Sequence, residues 1–159
     1  LTKKEKADAL TIEEAIKSMS MLNKNASELL KKYSPNAVTD ITGFGLIGHL
    51  IELVKSSNIS ANINFSKIPL LHGTLDLAND GIVPGGSKRN LNYANEFVFF
   101  SDTLTNTQKL LTCDAQTSGG LLISLPDDKA TQFISEYGTN ATKIGSIIKK
   151  DKFLISVNK

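Results

Sequence analysis

Between residues 37 and 65 the hydrophobic period changes twice. Ala37-Val38-Thr39-Asp40-Ile41 is short and β-branched and reads as a strand or strand end. Thr42-Gly43-Phe44-Gly45 is a tight turn. Leu46, Ile47, Leu50, Ile51 and Val54 then fall on one helical stripe that stops near Asn58. Ile59, Ala61, Ile63 and Phe65 alternate, as a half-buried strand does. A chain that moves from strand to helix to strand over so short a stretch is confined to an α/β or α+β architecture.

The flanks extend that order. Thr11-Ile12-Glu13-Glu14 reads as a capping box, with Thr11 as N-cap, ahead of a stripe of Ile12, Ala15, Ile16, Met19 and Leu22. Asn25 and Glu28 offer a second box for a helix running to about Tyr33, where Ser34-Pro35-Asn36 stops it. Pro69 is expected to open a short helix to about Asn79, and residues 83–90 read as a loop by composition. A short strand over 95–100 and a short helix over 104–111 precede a buried strand, Leu121-Leu122-Ile123-Ser124-Leu125. Pro126 starts a helix with Ala130, Phe133, Ile134 and Tyr137 on one face and Gly138 behind it. Strands over 141–148 and 153–157 close the chain around Lys150-Asp151. No repeat or linker divides the 159 residues, so residues 1–159 are expected to form a single domain.

Charge and cysteine content narrow the function classes. With 18 basic and 16 acidic residues, interspersed, the chain gives no reason to expect nucleic acid or an anionic membrane as partner. Cys113 is the single cysteine, which rules out an internal disulfide and offers no zinc cluster; a reducing, cytoplasmic setting fits best. No apolar run approaches the ~18 residues of a membrane span. The N-terminus lacks the apolar segment of a signal peptide, and its first residue is Leu1 rather than Met, as in a piece of a longer protein.

Three polar, glycine-bearing segments sit at element boundaries. The first is Asp40-Ile41-Thr42-Gly43-Phe44-Gly45. A carboxylate at a strand end, ahead of a glycine turn and a helix N-terminus, suits Mg²⁺ and phosphate; equally, Asp40 or Thr42 could merely cap the helix. The second is Pro84-Gly85-Gly86-Ser87-Lys88-Arg89-Asn90, whose glycine amides and paired cations could meet an anion or simply face water. The third is Asp114-Ala115-Gln116-Thr117-Ser118-Gly119-Gly120, a turn that could line a site or satisfy itself. His49 and His72 read as packed or solvated histidines rather than ligands. Cys113 reads as a buried small residue, its thiol pKa raised by the neighbouring Asp114. No Walker loop, nucleophile elbow or HExxH motif is present.

These segments carry a resemblance. Residues 39–50, Thr-Asp-Ile-Thr-Gly-Phe-Gly-Leu-Ile-Gly-His-Leu, resemble a signature of the selenophosphate synthetases. Val83-Pro84-Gly85-Gly86-Ser87-Lys88-Arg89-Asn90 is similar to that family's PGG-x-x-R-N loop, and residues 113–122 to its CDPQTSGGLL turn, with Ala115 in place of the usual proline. The three occur in the family's order across nearly the whole chain. The resemblance implies a mixed sheet covered by helices, similar to the C-terminal domain of aminoimidazole ribonucleotide synthetase. It implies the C-terminal half of an enzyme that converts ATP, selenide and water into selenophosphate, AMP and phosphate. Asp40 then matches a metal ligand for Mg²⁺, and Thr42, Gly43 and Gly45 would lie near the ATP phosphates. The family's nucleophilic Cys or selenocysteine, its lysine and most of its aspartates belong to an N-terminal half that also forms a homodimer. No catalytic residue is therefore expected within these 159 residues, and the fragment alone is expected to fold without catalysing. Two alternatives stay open: an enzyme of the same superfamily acting on a purine or thiamine precursor, or a non-catalytic interaction module.

Overall fold

A computed structural model describes residues 7–159. In chain order the elements are α1 (Ala9–Ser20), α2 (Lys24–Leu30), β1 (Ala37–Asp40), α3 (Gly45–Ser57), β2 (Ser60–Asn64), α4 (Thr74–Asn79), α5 (Gly85–Ala94), β3 (Val98–Phe100), α6 (Asn106–Thr112), β4 (Leu121–Ser124), α7 (Asp127–Tyr137), β5 (Gly145–Ile148) and β6 (Ile155–Asn158). The α/β class and the mixed sheet are as expected. One sheet has the order β3-β6-β2-β5, with β6 parallel to both β2 and β3 and β5 antiparallel to β2. A separate antiparallel ribbon pairs β1 with β4, Asp40 opposite Leu121.

The main core forms where α3 lies on the four-stranded sheet. Ile47, Ile51 and Val54 on α3 meet Ala61 and Ile63 of β2, Val98 and Phe100 of β3, and Ile155 and Val157 of β6, all buried. Each large aliphatic side chain so buried contributes roughly 1.5–3 kcal/mol. Phe99, between two inward residues of β3, points the other way and stays exposed. A smaller cluster holds the ribbon: Ala26, Leu30 and Tyr33 pack on Phe133 of α7, with Leu121 and Ile123 of β4 against them. Tyr33 and Phe133 meet edge to face at 5.5 Å, and the Tyr33 hydroxyl donates to Glu136 at 2.6 Å, beside the Lys32–Glu136 ion pair.

The expected strands at 141–148 and 153–157 shorten to β5 and β6, which flank β2 instead of pairing with each other. Buried Ser60 fixes the turn between them: its hydroxyl donates to the Phe153 carbonyl and accepts from the Asp151 amide, each at 2.9 Å.

Several local expectations fail for identifiable reasons. Thr11 is not the N-cap of α1. Asp8 caps it, accepting from the Thr11 amide at 2.7 Å, and Thr11 is buried within the helix while Glu14 accepts from the His72 amide. Asn25 does not cap α2, which starts at Lys24 after Asn23; Asn23 sends its side-chain amide to the Gly119 carbonyl instead. The helix expected from Pro69 begins at Thr74. Residues 85–94, expected to begin in a loop, form α5: Pro84 precedes the first turn, where a lost N–H has no consequence, and buried Ser87 and Ala94 anchor one side. The stripe expected to bury α1 lies largely in solvent, with Ile16, Met19 and Leu22 exposed. Among the described residues, no helix is long and apolar enough to cross a membrane.

Candidate functional site

Asp40 ends β1 with its side chain exposed, and it takes part in no ion pair among the described residues. Backbone bonds fasten the chain on either side of it. Ile41 donates to the Gly120 carbonyl and accepts from the Gly119 amide, each at 3.0 Å. The Thr42 carbonyl accepts from Gly45 at 2.9 Å and from Gln116 at 3.1 Å. The chain then turns through exposed Phe44 into α3.

His49 locks this turn. The Thr42 amide donates to His49 Nε2 at 3.1 Å, and the Thr42 hydroxyl lies 3.1 Å from the same nitrogen. An N–H aimed at Nε2 requires a lone pair there, so the ring proton sits on Nδ1. His49 is therefore neither a loose surface group nor a ligand at Nε2; it accepts from the backbone one turn before its own helix.

The two outer glycines of the turn differ in kind. Gly45 is buried at φ +70°, and a Cβ there would stand 2.6 Å from the Cys113 carbonyl carbon and 2.8 Å from the Asp114 carbonyl oxygen. Only glycine fits so near another backbone at that angle. Gly43 is exposed, and a Cβ there would meet nothing within 4 Å. Of the expected phosphate-side residues, Gly43 is exposed, Thr42 is half-buried and bonded to His49, and Gly45 packs on the third segment.

That packing is one strand of a wider network. Buried Ser87 of α5 donates from its hydroxyl to Asp114 Oδ1 at 2.6 Å and accepts from the Ala115 amide at 3.1 Å. Asn90 Nδ2 donates to the Gly43 carbonyl at 2.8 Å and the Cys113 carbonyl at 3.1 Å. Gln116 Nε2 donates to Asp114 Oδ2 at 3.1 Å. All three glycine-bearing segments therefore meet, with Asn90 tied to both of the others. Ser87, Asn90 and His49 received no role from the sequence. Their signal was present, since Ser87 and Asn90 lie in the glycine-led segment and His49 sits seven residues after Thr42, but nothing local states which distant carbonyl each will reach.

Ala115 has a defined contact: a proline there would have no N–H for Ser87, whereas alanine supplies that hydrogen bond. Lys88 and Arg89 are exposed, the Arg89 guanidinium lying 3.6 Å from where a Gly85 Cβ would stand. Thr117 and Ser118 are exposed at the rim. His72 lines an apolar hollow of about 150 Å³ with Thr11, Leu71, Leu77, Pro84 and Asp114. Cys113 is fully buried, and burial pushes its thiol up to about 11, with the Thr112 hydroxyl bond opposing; desolvation, not repulsion from Asp114, is the cause. That thiol is inert.

The arrangement offers a hard cation one unpaired carboxylate, while the turn spends its Thr42 amide on His49 and its Gly45 amide on the Thr42 carbonyl and leaves exposed Gly43 and Phe44 as its open part. Among the described residues, no group of three or more His, Cys, Asp or Glu side chains converges as a metal site. Asp40 fits one position in a shared Mg²⁺ sphere, since Mg²⁺ takes one or two carboxylates with phosphate and water, but it does not make a site alone.

Residues 2–158 match the family described as AIR synthase related protein, C-terminal domain. A selenide, water dikinase of Aliarcobacter butzleri (strain RM4018) is 38% identical over 152 residues, covering 92% of this chain and 44% of that protein. One from Clostridioides difficile (strain 630) is 36% identical over 149 residues, covering 91% and 43%. The chain thus spans less than half the length of these relatives. Among solved structures, thiamine monophosphate kinase from Aquifex aeolicus superposes with a TM-score of 0.54 at 16% identity, over 99% of this chain and 43% of that one, a likeness of fold. With its mixed sheet, its converging glycine turns and a match along almost its whole length, the chain belongs to the AIR synthase related protein family, as the C-terminal domain.

Proposed function

We propose that residues 1–159 are the C-terminal domain of a selenide, water dikinase, which makes selenophosphate, AMP and phosphate from ATP, selenide and water. In this reading the domain supplies one wall of the Mg–ATP site and an N-terminal half supplies the nucleophile, the remaining carboxylates and the homodimer contact. The observation that carries it is Asp40: an unpaired, exposed carboxylate held at a strand end beside the start of α3. The identity to selenide, water dikinases over more than nine-tenths of the chain supports the choice of substrate.

The chain's own residues have distinct tasks. Asp40 presents oxygen ligands to Mg²⁺, which when bound would offset charge on the phosphates. Thr42 and exposed Gly43 lie along the phosphates. Gly45 holds the turn in place through its contact with residues 113–114. His49 keeps the Thr42 hydroxyl and amide on one side. One carboxylate gives Mg–ATP too few contacts for useful affinity, so the 159-residue chain alone should release AMP from ATP and selenide only at background.

The test uses the full-length enzyme. Asp40→Asn should lower selenide-dependent AMP release by about 10²-fold or more, and raise the Mg²⁺ needed for half-maximal rate, while leaving thermal stability unchanged because Asp40 is exposed and unpaired. A variant with ordinary activity at ordinary Mg²⁺ would remove the metal role.

A further inference from the structure

The Thr42–Gly45 turn contains one peptide that its own sequence leaves free to turn over. Gly45 donates to the Thr42 carbonyl at 2.9 Å, Phe44 stands at φ −84°, ψ −5°, and Gly43 does not take positive φ, which together make a type I turn. A type II′ turn keeps the same Gly45 bond and nearly the same Phe44 angles. It differs in having Gly43 at positive φ and the Gly43–Phe44 peptide reversed. Glycine enters that conformation at no steric cost, and Gly43 is exposed with open space about its Cα. Neither strain nor packing at residue 43 therefore prevents the reversal.

Asn90 supplies the missing restraint. Its Nδ2 donates to the Gly43 carbonyl at 2.8 Å and to the Cys113 carbonyl at 3.1 Å. In a trans peptide the carbonyl and the following N–H point in opposite directions, and no peptide of the described residues is cis. With the Gly43 carbonyl turned to Asn90, the Phe44 N–H points away from α5. The preceding peptide is fixed in the same way: its Thr42 carbonyl is taken by Gly45 and Gln116, so the Gly43 N–H points away from them. Among the described residues neither the Gly43 nor the Phe44 amide has an acceptor, and both residues are exposed.

We infer that Asn90 is a positioning residue for nucleotide use: by holding the Gly43 carbonyl it selects the type I form, and so keeps the Phe44 amide presented to phosphate. The inference rests on the reading of this turn as the phosphate side of a selenide, water dikinase, and adds the residue that sets the direction of its amide. Asn90 acts through the Gly43–Phe44 peptide and not by touching phosphate. Its second bond, to Cys113, is indifferent to which form the turn takes.

The full-length enzyme carries Asn90→Ala alone, or Asn90→Ala together with Gly43→Ala. The added Cβ makes positive φ costly at residue 43 and selects the type I form without Asn90. In selenide-dependent AMP release, kcat/KM for ATP should fall about tenfold for Asn90→Ala in the native background. It should fall by less than about twofold when the same change is made in the Gly43→Ala background. The Cys113 bond is lost equally in both, so equal losses would assign Asn90 to packing alone and overturn the inference. The turn is also followed without substrate, through the Phe44 amide signal of protein labelled with ¹⁵N-phenylalanine, identified by its absence in Phe44→Leu. Asn90→Ala should move this signal in the native background and leave it in place in the Gly43→Ala background; a signal that Asn90→Ala does not move in the native background overturns the inference. Should Asn90→Ala fail to fold, Asn90→Ser, whose hydroxyl is too short to reach the Gly43 carbonyl, takes its place in both measurements. A signal that moves as expected in a protein whose wild type releases no AMP from ATP and selenide removes the functional reading and leaves the Asn90 clamp standing.

Discussion

Replacing Gly45 by alanine puts a methyl group where the backbone of another segment already stands. The added Cβ would lie 2.6 Å from the Cys113 carbonyl carbon, 2.7 Å from its oxygen and 2.8 Å from the Asp114 carbonyl oxygen. None of these is the end of a flexible side chain, so relief requires moving residues 113–114 and, with them, the Ser87–Asp114 and Asn90–Cys113 bonds. The backbone angle adds to this, because φ +70° is unfavourable for an L-residue by roughly 1–2 kcal/mol. Overpacking adds about 1–3 kcal/mol, giving a total of about 2–5 kcal/mol. Gly43→Ala is the control: it is two residues away, its φ is not positive and its Cβ would meet nothing, so its effect should stay within about 0.5 kcal/mol. Urea unfolding of both variants, followed by circular dichroism, measures the difference. For a loss of about 3 kcal/mol the melting temperature should fall by about 6–12 °C. Equal stabilities for the two alanine variants would refute the assignment of Gly45 to packing and Gly43 to open space.

Three other outcomes follow from the same network. Ser87→Ala removes the partner of both Asp114 Oδ1 and the Ala115 amide from a fully buried position, and should destabilise the fold by about 1–3 kcal/mol in urea unfolding. Ala115→Pro loses the amide bond to Ser87 but restricts the unfolded chain, and the two effects should cancel to within about 1 kcal/mol in the same assay. The buried Cys113 thiol has its pKa raised from 9.0 to about 11, so the neutral form is favoured by folding; its contribution is complete below pH 9 and is lost as pH climbs through about 11, a fall visible in unfolding titrations at alkaline pH and reduced in Cys113→Ala.

Most of the architecture was legible because it rests on local periodicity. The stripe of α3 and the alternation of β2 each state their buried face, and both are buried as read. Helix starts were less legible. Thr11 and Asn25 have the right side chains for caps, yet Asp8 caps α1, and Asn23, at the N-cap position of α2, makes no side-chain cap because its amide is spent on the Gly119 carbonyl. Residues 85–90 carry paired glycines and charges, which locally argue against a helix; burial of Ser87 and Ala94 against distant segments tips the balance. The candidate site was legible in parts and not as a whole. Each glycine-bearing segment declares itself, but their meeting depends on contacts such as Asn90 to Gly43 and Gly119 to Ile41, which span dozens of residues and leave no periodic trace. The stripe of α1 was misread: its residues follow the helical period, yet Ile16, Met19 and Leu22 are exposed.

The place of β6 between β2 and β3 has a kinetic consequence. Ile155 and Val157 fill the centre of the main core, so β2 and β3 have no neighbour to bridge them until β6 is in place. Without β6, β2 can pair only with β5, and β3 stands apart from both. Closing the sheet therefore requires β6 to be inserted along both neighbours at once, a pairing across a long sequence separation and slow for that reason.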